Sequence, residues 1–220
     1  MTPQPARRRA PGMSVEQRRA MIVAAALPLV AEYGAAVTTS QIARAAGIGE
    51  ATIFRAFKDK DEVLDACVRE AVSTDHVLRE LASVSLDEPL AARLTEAAEA
   101  LRAHMERIGT VVGSLHASGH LRGRGREPGP VTPEAGAKTD GPPEDPRARS
   151  AAALRQAVTE LIEPDRDAFR LAPEKVAGAF LGLLFTRLPT PVSEADAPLT
   201  SEELIAVLLH GTLTHPGNDT

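Results

Sequence analysis

The sequence contains no tryptophan, one tyrosine, five phenylalanines and one cysteine. With so few aromatic rings, alanine and leucine must fill most of any core, which favours closely packed helices over β-structure. The lone Cys67 excludes an intrachain disulfide framework and fits a reducing cytoplasm, the expected location. It falls on an apolar helical stripe, as a buried thiol would; a redox-sensing thiol is the alternative. Long hydrophobic runs are also scarce. Val176–Phe185, the strongest, is too short to cross a bilayer. The first residues, MTPQPARRRAPGM, carry positive charge with no apolar run behind them, unlike a secretory signal. No membrane partner is expected.

Catalytic signatures are missing too. There is no nucleophile elbow, phosphate-binding loop or zinc motif. An enzyme is therefore not expected, and no catalytic residue, cofactor or metal is assigned. His116 and His120 have the spacing of one helix face, and His104 is not far away. No acidic or cysteine partner stands at ligand spacing beside them, so they read as polar or pocket-lining histidines.

What is present is enough apolar residue, 43% of 220, for a packed core. The net charge of −5 is unevenly spread. Residues 1–60 hold nine Lys/Arg against four Asp/Glu, a net of +5, which leaves −10 for the remainder. A basic front and an acidic rear point to a polyanion met by the front alone.

Residues 1–13 read as a flexible basic arm. Ser14 and Gln17 form a capping box that opens the first helix, whose stripe is Ile22, Ala26, Leu29, Val30 and Tyr33. Pro28 should kink this helix or lie on its exposed side. Gly34 should end it as a left-handed cap. A short helix is expected over about 40–46 with Thr39 as its N-cap, then a glycine turn at Gly47, then a helix to Phe57. Longer helices are expected from near Lys60 through Val72, over about 88–108 and 111–120, and over about 148–163. Two more follow in APEKVAGAFLGLLFTRL, with Pro173 in the first turn, and TSEELIAVLLHGTL, with a Thr200–Glu203 capping box. Between the helices expected at 111–120 and 148–163, His120–Arg147 holds five Gly and six Pro and reads as a long, largely disordered loop. Within it, GRGRE (Gly123–Glu127) reads as a solvated linker or a source of non-specific affinity for that polyanion.

Residues 39–58 carry the chemistry. Ile42, Ala43 and Ala46 face inward on one short helix; Ile53 and Phe57 anchor the next; Ile48 packs beneath the turn. This is a helix-turn-helix pattern. At 100° per residue, Thr52, Phe54, Arg55 and Lys58 point away from Ile53, with Ala51 between them. Arg55 suits a bidentate pair with guanine, Thr52 a phosphate or thymine methyl, and Lys58 and Lys60 phosphates.

The run IVAAALPLVAEYGAAVTTSQIARAAGIGEATIFRAFKDKDEVLDACV closely resembles the DNA-binding domain of TetR/AcrR-type transcriptional regulators. The likeness covers about residues 16–70. It rests on Ala25–Ala26, Gly34, Thr39, Ile42–Ala43, Ala46–Gly47, Thr52, Phe57 and Lys60 in one register. The resemblance implies an all-α homodimer with a three-helix DNA-binding domain, a linking fourth helix, and C-terminal helices that dimerise and bind an effector. The division expected is an arm at 1–13, a helix-turn-helix domain at 14–60 (about 16–76 as the family draws it) and a helical regulatory domain at 61–220. The DNA-contacting candidates are Thr39, Gln41, Arg44, Gly49, Glu50, Ala51, Thr52, Phe54, Arg55, Lys58 and Lys60. The resemblance also supplies a candidate effector pocket at Leu101, His104, Met105, Leu115 and His116.

Three positions depart from the family pattern. Phe54 stands where tyrosine is usual, and its loss of a hydroxyl removes one hydrogen bond to phosphate, worth roughly 1.5–3 kcal/mol. Gly49 replaces a capping serine at a cost of about a few tenths of a kcal/mol. Glu50 places a negative charge where lysine is common, either repelling phosphate or reading cytosine N4. The Arg7–Arg9 arm could compensate by entering the minor groove.

At the rear, the apolar residues of Val176–Leu188 surround their helix, so it is buried on more than one side. Gly178 and Gly182 leave a groove for a close neighbour. Val176, Phe180, Leu181 and Leu184, with Leu204, Ile205 and Leu208, form the candidate dimer interface; an internal core is the alternative. The expected function is a ligand-responsive repressor that binds a pseudo-palindromic operator in double-stranded DNA as a dimer. The alternative is a ligand-independent, architectural DNA-binding protein.

Overall fold

The computed structural model describes residues 13–121, 145–185 and 199–212. The Arg7–Arg9 arm and nearly all of the expected loop, Gly123–Glu127 included, lie outside the described residues. Nine α-helices are found among those described: α1 Val15–Tyr33, α2 Thr39–Ala45, α3 Glu50–Ala56, α4 Lys60–Val72, α5 Asp75–Ser83, α6 Leu90–Ala117, α7 Pro146–Ile162, α8 Pro173–Phe185 and α9 Ser201–Thr212. No strand occurs among them, so the chain is all-α as expected.

The chain forms two compact units. One holds residues 13–72 and 107–121; the other holds 73–106 with the described residues from 145 onward. α4 belongs with the amino-terminal unit because Val63, Leu64 and Cys67, all wholly buried, pack into that unit's core.

In the amino-terminal unit, α1 is opened by the expected capping box: Gln17 N–H donates to Ser14 Oγ at 3.1 Å and Ser14 N–H to Gln17 Oε1 at 2.9 Å. α1 buries Ile22, Val23, Ala26 and Val30. Pro28 sits on its exposed side, and the helix runs through it unbroken. By length and hydropathy, Val15–Ala36 also suffices to cross a bilayer, although its apolar stripe is taken up by this core.

Gly34 has φ 56° and ψ −137°, a positive φ but not the left-handed helical cap expected. A Cβ there would stand 2.7 Å from both Ser114 O and Ser118 Oγ. Glycine lets α6 come this close. α6 itself is one 28-residue helix where two were expected. Gly109 costs roughly 1 kcal/mol as a helix interior residue, and the burial of Val111 and Leu115 behind it offsets that cost.

In the second unit, Phe180 and Val176 of α8, Val158 and Ile162 of α7, and Leu94 and Leu101 of α6 are wholly buried in one core. α5 was not anticipated from the sequence, although Val77, Leu78 and Leu81 recur at helical spacing. The Thr200–Glu203 capping box opens α9, with bonds of 2.9 and 3.1 Å. Arg93, 2% exposed, ties the loop before α6 to the turn after α7: it donates to Leu86 O at 3.1 Å and pairs with Asp165.

Candidate nucleic-acid interface

The helix-turn-helix is built by α2 and α3. Its first cap differs from the expectation. Thr38, not Thr39, caps α2: Gln41 N–H donates to Thr38 Oγ1 at 3.2 Å and Thr38 N–H to Gln41 Oε1 at 2.8 Å. The T-x-x-Q signal was legible at 38–41, but Thr38 and Thr39 are adjacent and either could open a helix. Thr39 is therefore the first helical residue, and its hydroxyl is free to turn elsewhere.

The turn closes as expected. Gly47 has φ 66°, the left-handed region that favours glycine. Gly47 N–H donates to Arg44 O at 3.2 Å and Ile48 N–H to Ala43 O at 3.0 Å. Ile42, Ala43, Ile53, Ala56 and Phe57 are buried, and Ile48 packs partly beneath them. The register of α3 follows: with Ile53, Ala56 and Phe57 inside, Ala51, Phe54 and Arg55 are exposed and Thr52 is half-buried. Phe54 is 51% exposed and Phe57 only 2%, so the two rings three residues apart face opposite environments.

Around this face, Gln41, Arg44, Gly49, Glu50 and Lys58 are exposed, and Thr39 and Lys60 half-buried. Among the described residues, Arg44, Arg55 and Lys58 form no ion pair, so their charge is not internally neutralised. Two other candidates are engaged within the protein. Lys60 Nζ donates to Ala35 O at 2.8 Å. Thr39 Oγ1 donates to the Glu50 carboxylate at 2.5 Å. Gly49 makes no side-chain cap, as its composition requires, and Glu50 instead lies in the first turn of α3 where the helix dipole favours a negative charge.

A short helix with Phe54 and Arg55 facing outward, carried on a glycine-turn hairpin, defines a helix-turn-helix protein, the class whose second helix enters the major groove. Residues 22–67 match the family described as bacterial regulatory proteins, tetR family. A TetR transcriptional regulator of Streptomyces coelicolor superposes with a TM-score of 0.52 at 19% identity, covering 90% of this chain and 99% of that one. A protein described as a TetR-family regulator from Mesorhizobium loti gives 0.52 at 14%, covering 92% and 100%. At these identities the likeness is one of fold. No curated protein matches the chain.

The rear candidates are corrected by burial. Val176 and Phe180 are wholly buried, and Leu181, Leu204, Ile205 and Leu208 nearly so, within the chain's own core; Leu184 packs partly against it. Side chains consumed by intrachain packing cannot also be the surface on which a second chain packs. The pocket candidates separate as well. Leu101 belongs to the core of the second unit and Leu115 to that of the amino-terminal unit. His104 is buried, whereas Met105 and His116 are exposed. A cavity of about 410 Å³ lies instead between α5 and α7, walled by Leu78, Leu81, Val84, Leu86 and Leu161, with Gln156 and Glu160 as its polar edge.

His120 is held between two carboxylates of α4: its ring nitrogens lie 3.6 Å from Asp61 Oδ1 and 3.2 Å from Asp65 Oδ1. No group of side chains suited to a metal ion occurs among the described residues.

Proposed function

We propose that the chain is a ligand-responsive repressor that binds a two-fold operator as a homodimer. The observation that carries the DNA reading is the outward face of α3, where Phe54 is 51% exposed beside Arg55, flanked by Arg44 and Lys58, which form no ion pair among the described residues. Such a face is costly to leave in water and fits a groove lined by phosphates and base edges. Thr39, Gln41, Gly49, Glu50, Ala51, Thr52, Phe54, Arg55, Lys58 and Lys60 surround it, with Arg44.

The dimer reading moves to the outer faces of the last two helices. Gly178, Ala179, Gly182 and Leu183 line the exposed side of α8, and Ala206 and Val207 that of α9; Leu183 is 43% and Val207 54% exposed. Small residues at helical spacing let a second copy approach closely. A two-fold pair presents two recognition helices to half-sites about one helical turn apart. The effector is assigned to the α5–α7 cavity, whose volume suits a small molecule. Its binding would shift the population toward dimers misspaced for adjacent major grooves.

Selection of bound sequences from random DNA, followed by titration against salt, tests this reading. The expected result is a palindromic motif whose affinity falls steeply with salt. Equal affinity for selected and random duplexes would exclude a specific operator.

A further inference from the structure

Arg19 on α1 lies away from the exposed face of α3, yet it grips the far end of that helix. Its Nη1 donates to Ala56 O at 2.5 Å. Its Nη2 donates to Glu62 Oε1 at 2.6 Å. The guanidinium carbon stands 4.1 Å from the centroid of the Phe57 ring. Glu62 completes the knot: its Oε2 accepts from Lys58 N–H at 2.6 Å, and its own N–H donates to Asp59 Oδ1 at 2.9 Å.

α3 is only seven residues long, too short to be stable by itself. Its last carbonyls have no intrahelical donor. Arg19 supplies one and brings a positive charge to the negative end of the helix dipole. Its planar fork serves a carbonyl and a carboxylate at once while its face covers an aromatic ring, a combination lysine cannot reproduce. At the opposite end α3 has no side-chain cap, since Gly49 occupies that position. The Thr39–Glu50 bond joins that end to α2, and Arg19 fixes the C-terminal end.

We propose that Arg19 is a positioning residue for DNA recognition: with Glu62 it fixes the aim of α3 without touching DNA. This inference rests on the reading of α3 as the recognition helix. The Arg19 charge is already met by Glu62, so it does not serve a phosphate.

The test uses the full chain carrying Arg19→Met, Arg19→Lys or Glu62→Gln, at a temperature well below the unfolding midpoint of every variant. Affinities are measured for the selected operator and for random duplex across a salt series. Arg19→Met is expected to weaken operator binding about tenfold and random-duplex binding far less, with the salt slope unchanged. Arg19→Lys should recover only part of the loss, and Glu62→Gln should fall in the same direction. Equal loss on both duplexes with a slope shallower by about 0.9 would make Arg19 a phosphate contact and overturn the proposal. Operator binding like that of the parent protein would also overturn it. Amide exchange without DNA supplies an independent arm. Faster exchange at the amides of Ile53–Phe57 in Arg19→Met supports the tether, and unchanged exchange there overturns it. If the parent protein shows no operator preference, the DNA reading fails, and the exchange measurement still judges the tether.

Discussion

Thr39 and Glu50 open the two helices of the helix-turn-helix and are joined across the turn: the Thr39 hydroxyl donates to the Glu50 carboxylate. The bond holds the N-termini of α2 and α3 together where Gly49 provides no cap. It also keeps a negative charge on the basic surface. Glu50→Lys removes that charge and adds a cation. It should raise affinity for operator and random duplex alike and steepen the salt dependence by about 0.9 in log–log slope, read by titration across a salt series. An unchanged slope would place residue 50 away from the phosphates.

Phe54→Tyr should tighten binding to every duplex by about 1.5–3 kcal/mol, the contribution of a hydrogen bond to a charged group. Sequence preference should not change, because phosphate carries no sequence information. Unchanged or weaker binding would mean that the exposed ring does not lie beside the DNA backbone.

Gly34→Ala should lower the stability of the amino-terminal unit by about 1–3 kcal/mol in thermal unfolding. Two causes combine: the positive φ and a Cβ only 2.7 Å from Ser114 O. Gly47→Ala isolates the first cause, because a Cβ at Gly47 meets nothing within 4 Å. It should cost less.

Cys67 is wholly buried, and burial, aided by the Glu70 charge, pushes its thiol up to about 12. The thiolate that reacts is therefore scarce at pH 8. A thiol reagent at that pH should label the native protein slowly and the denatured protein fast. Rapid native labelling would restore the redox-sensing alternative.

Leu183→Asp and Val207→Asp should leave the monomer folded and shift the protein toward monomer in light scattering, because both side chains face outward. Phe180→Ala should instead destabilise the fold by about 3–5 kcal/mol, as expected for emptying a core site. Dimers that survive both outward charges would move the interface elsewhere.

The amino-terminal unit was legible because its information is local. A capping box needs two residues three apart: Ser14–Gln17 has that pattern here, as Thr200–Glu203 has in the second unit. A glycine turn needs one position of positive φ, and Gly47 has it. Ile53 and Phe57 at helical spacing set which way α3 faces, and Phe54 is outward as a consequence. The sequence by itself thus determined the fold class, the helix-turn-helix and the exposed face of its second helix.

Tertiary structure decided the rest. α8 is apolar around its whole circumference, so its pattern could not say which face meets its own chain and which is left outside. Packing against the neighbouring helices assigned Val176 and Phe180 inward and Leu183 outward. The α5–α7 cavity arises from elements about seventy residues apart, and no local pattern announces such a space. Arg19 and Glu62, forty-three residues apart, read in sequence as two ordinary surface charges. Only the crossing of α1 with the α3–α4 corner brings them together on Ala56 and Phe57. Hydrophobic period and caps act within a few turns of chain, whereas side-chain engagement depends on which helices meet.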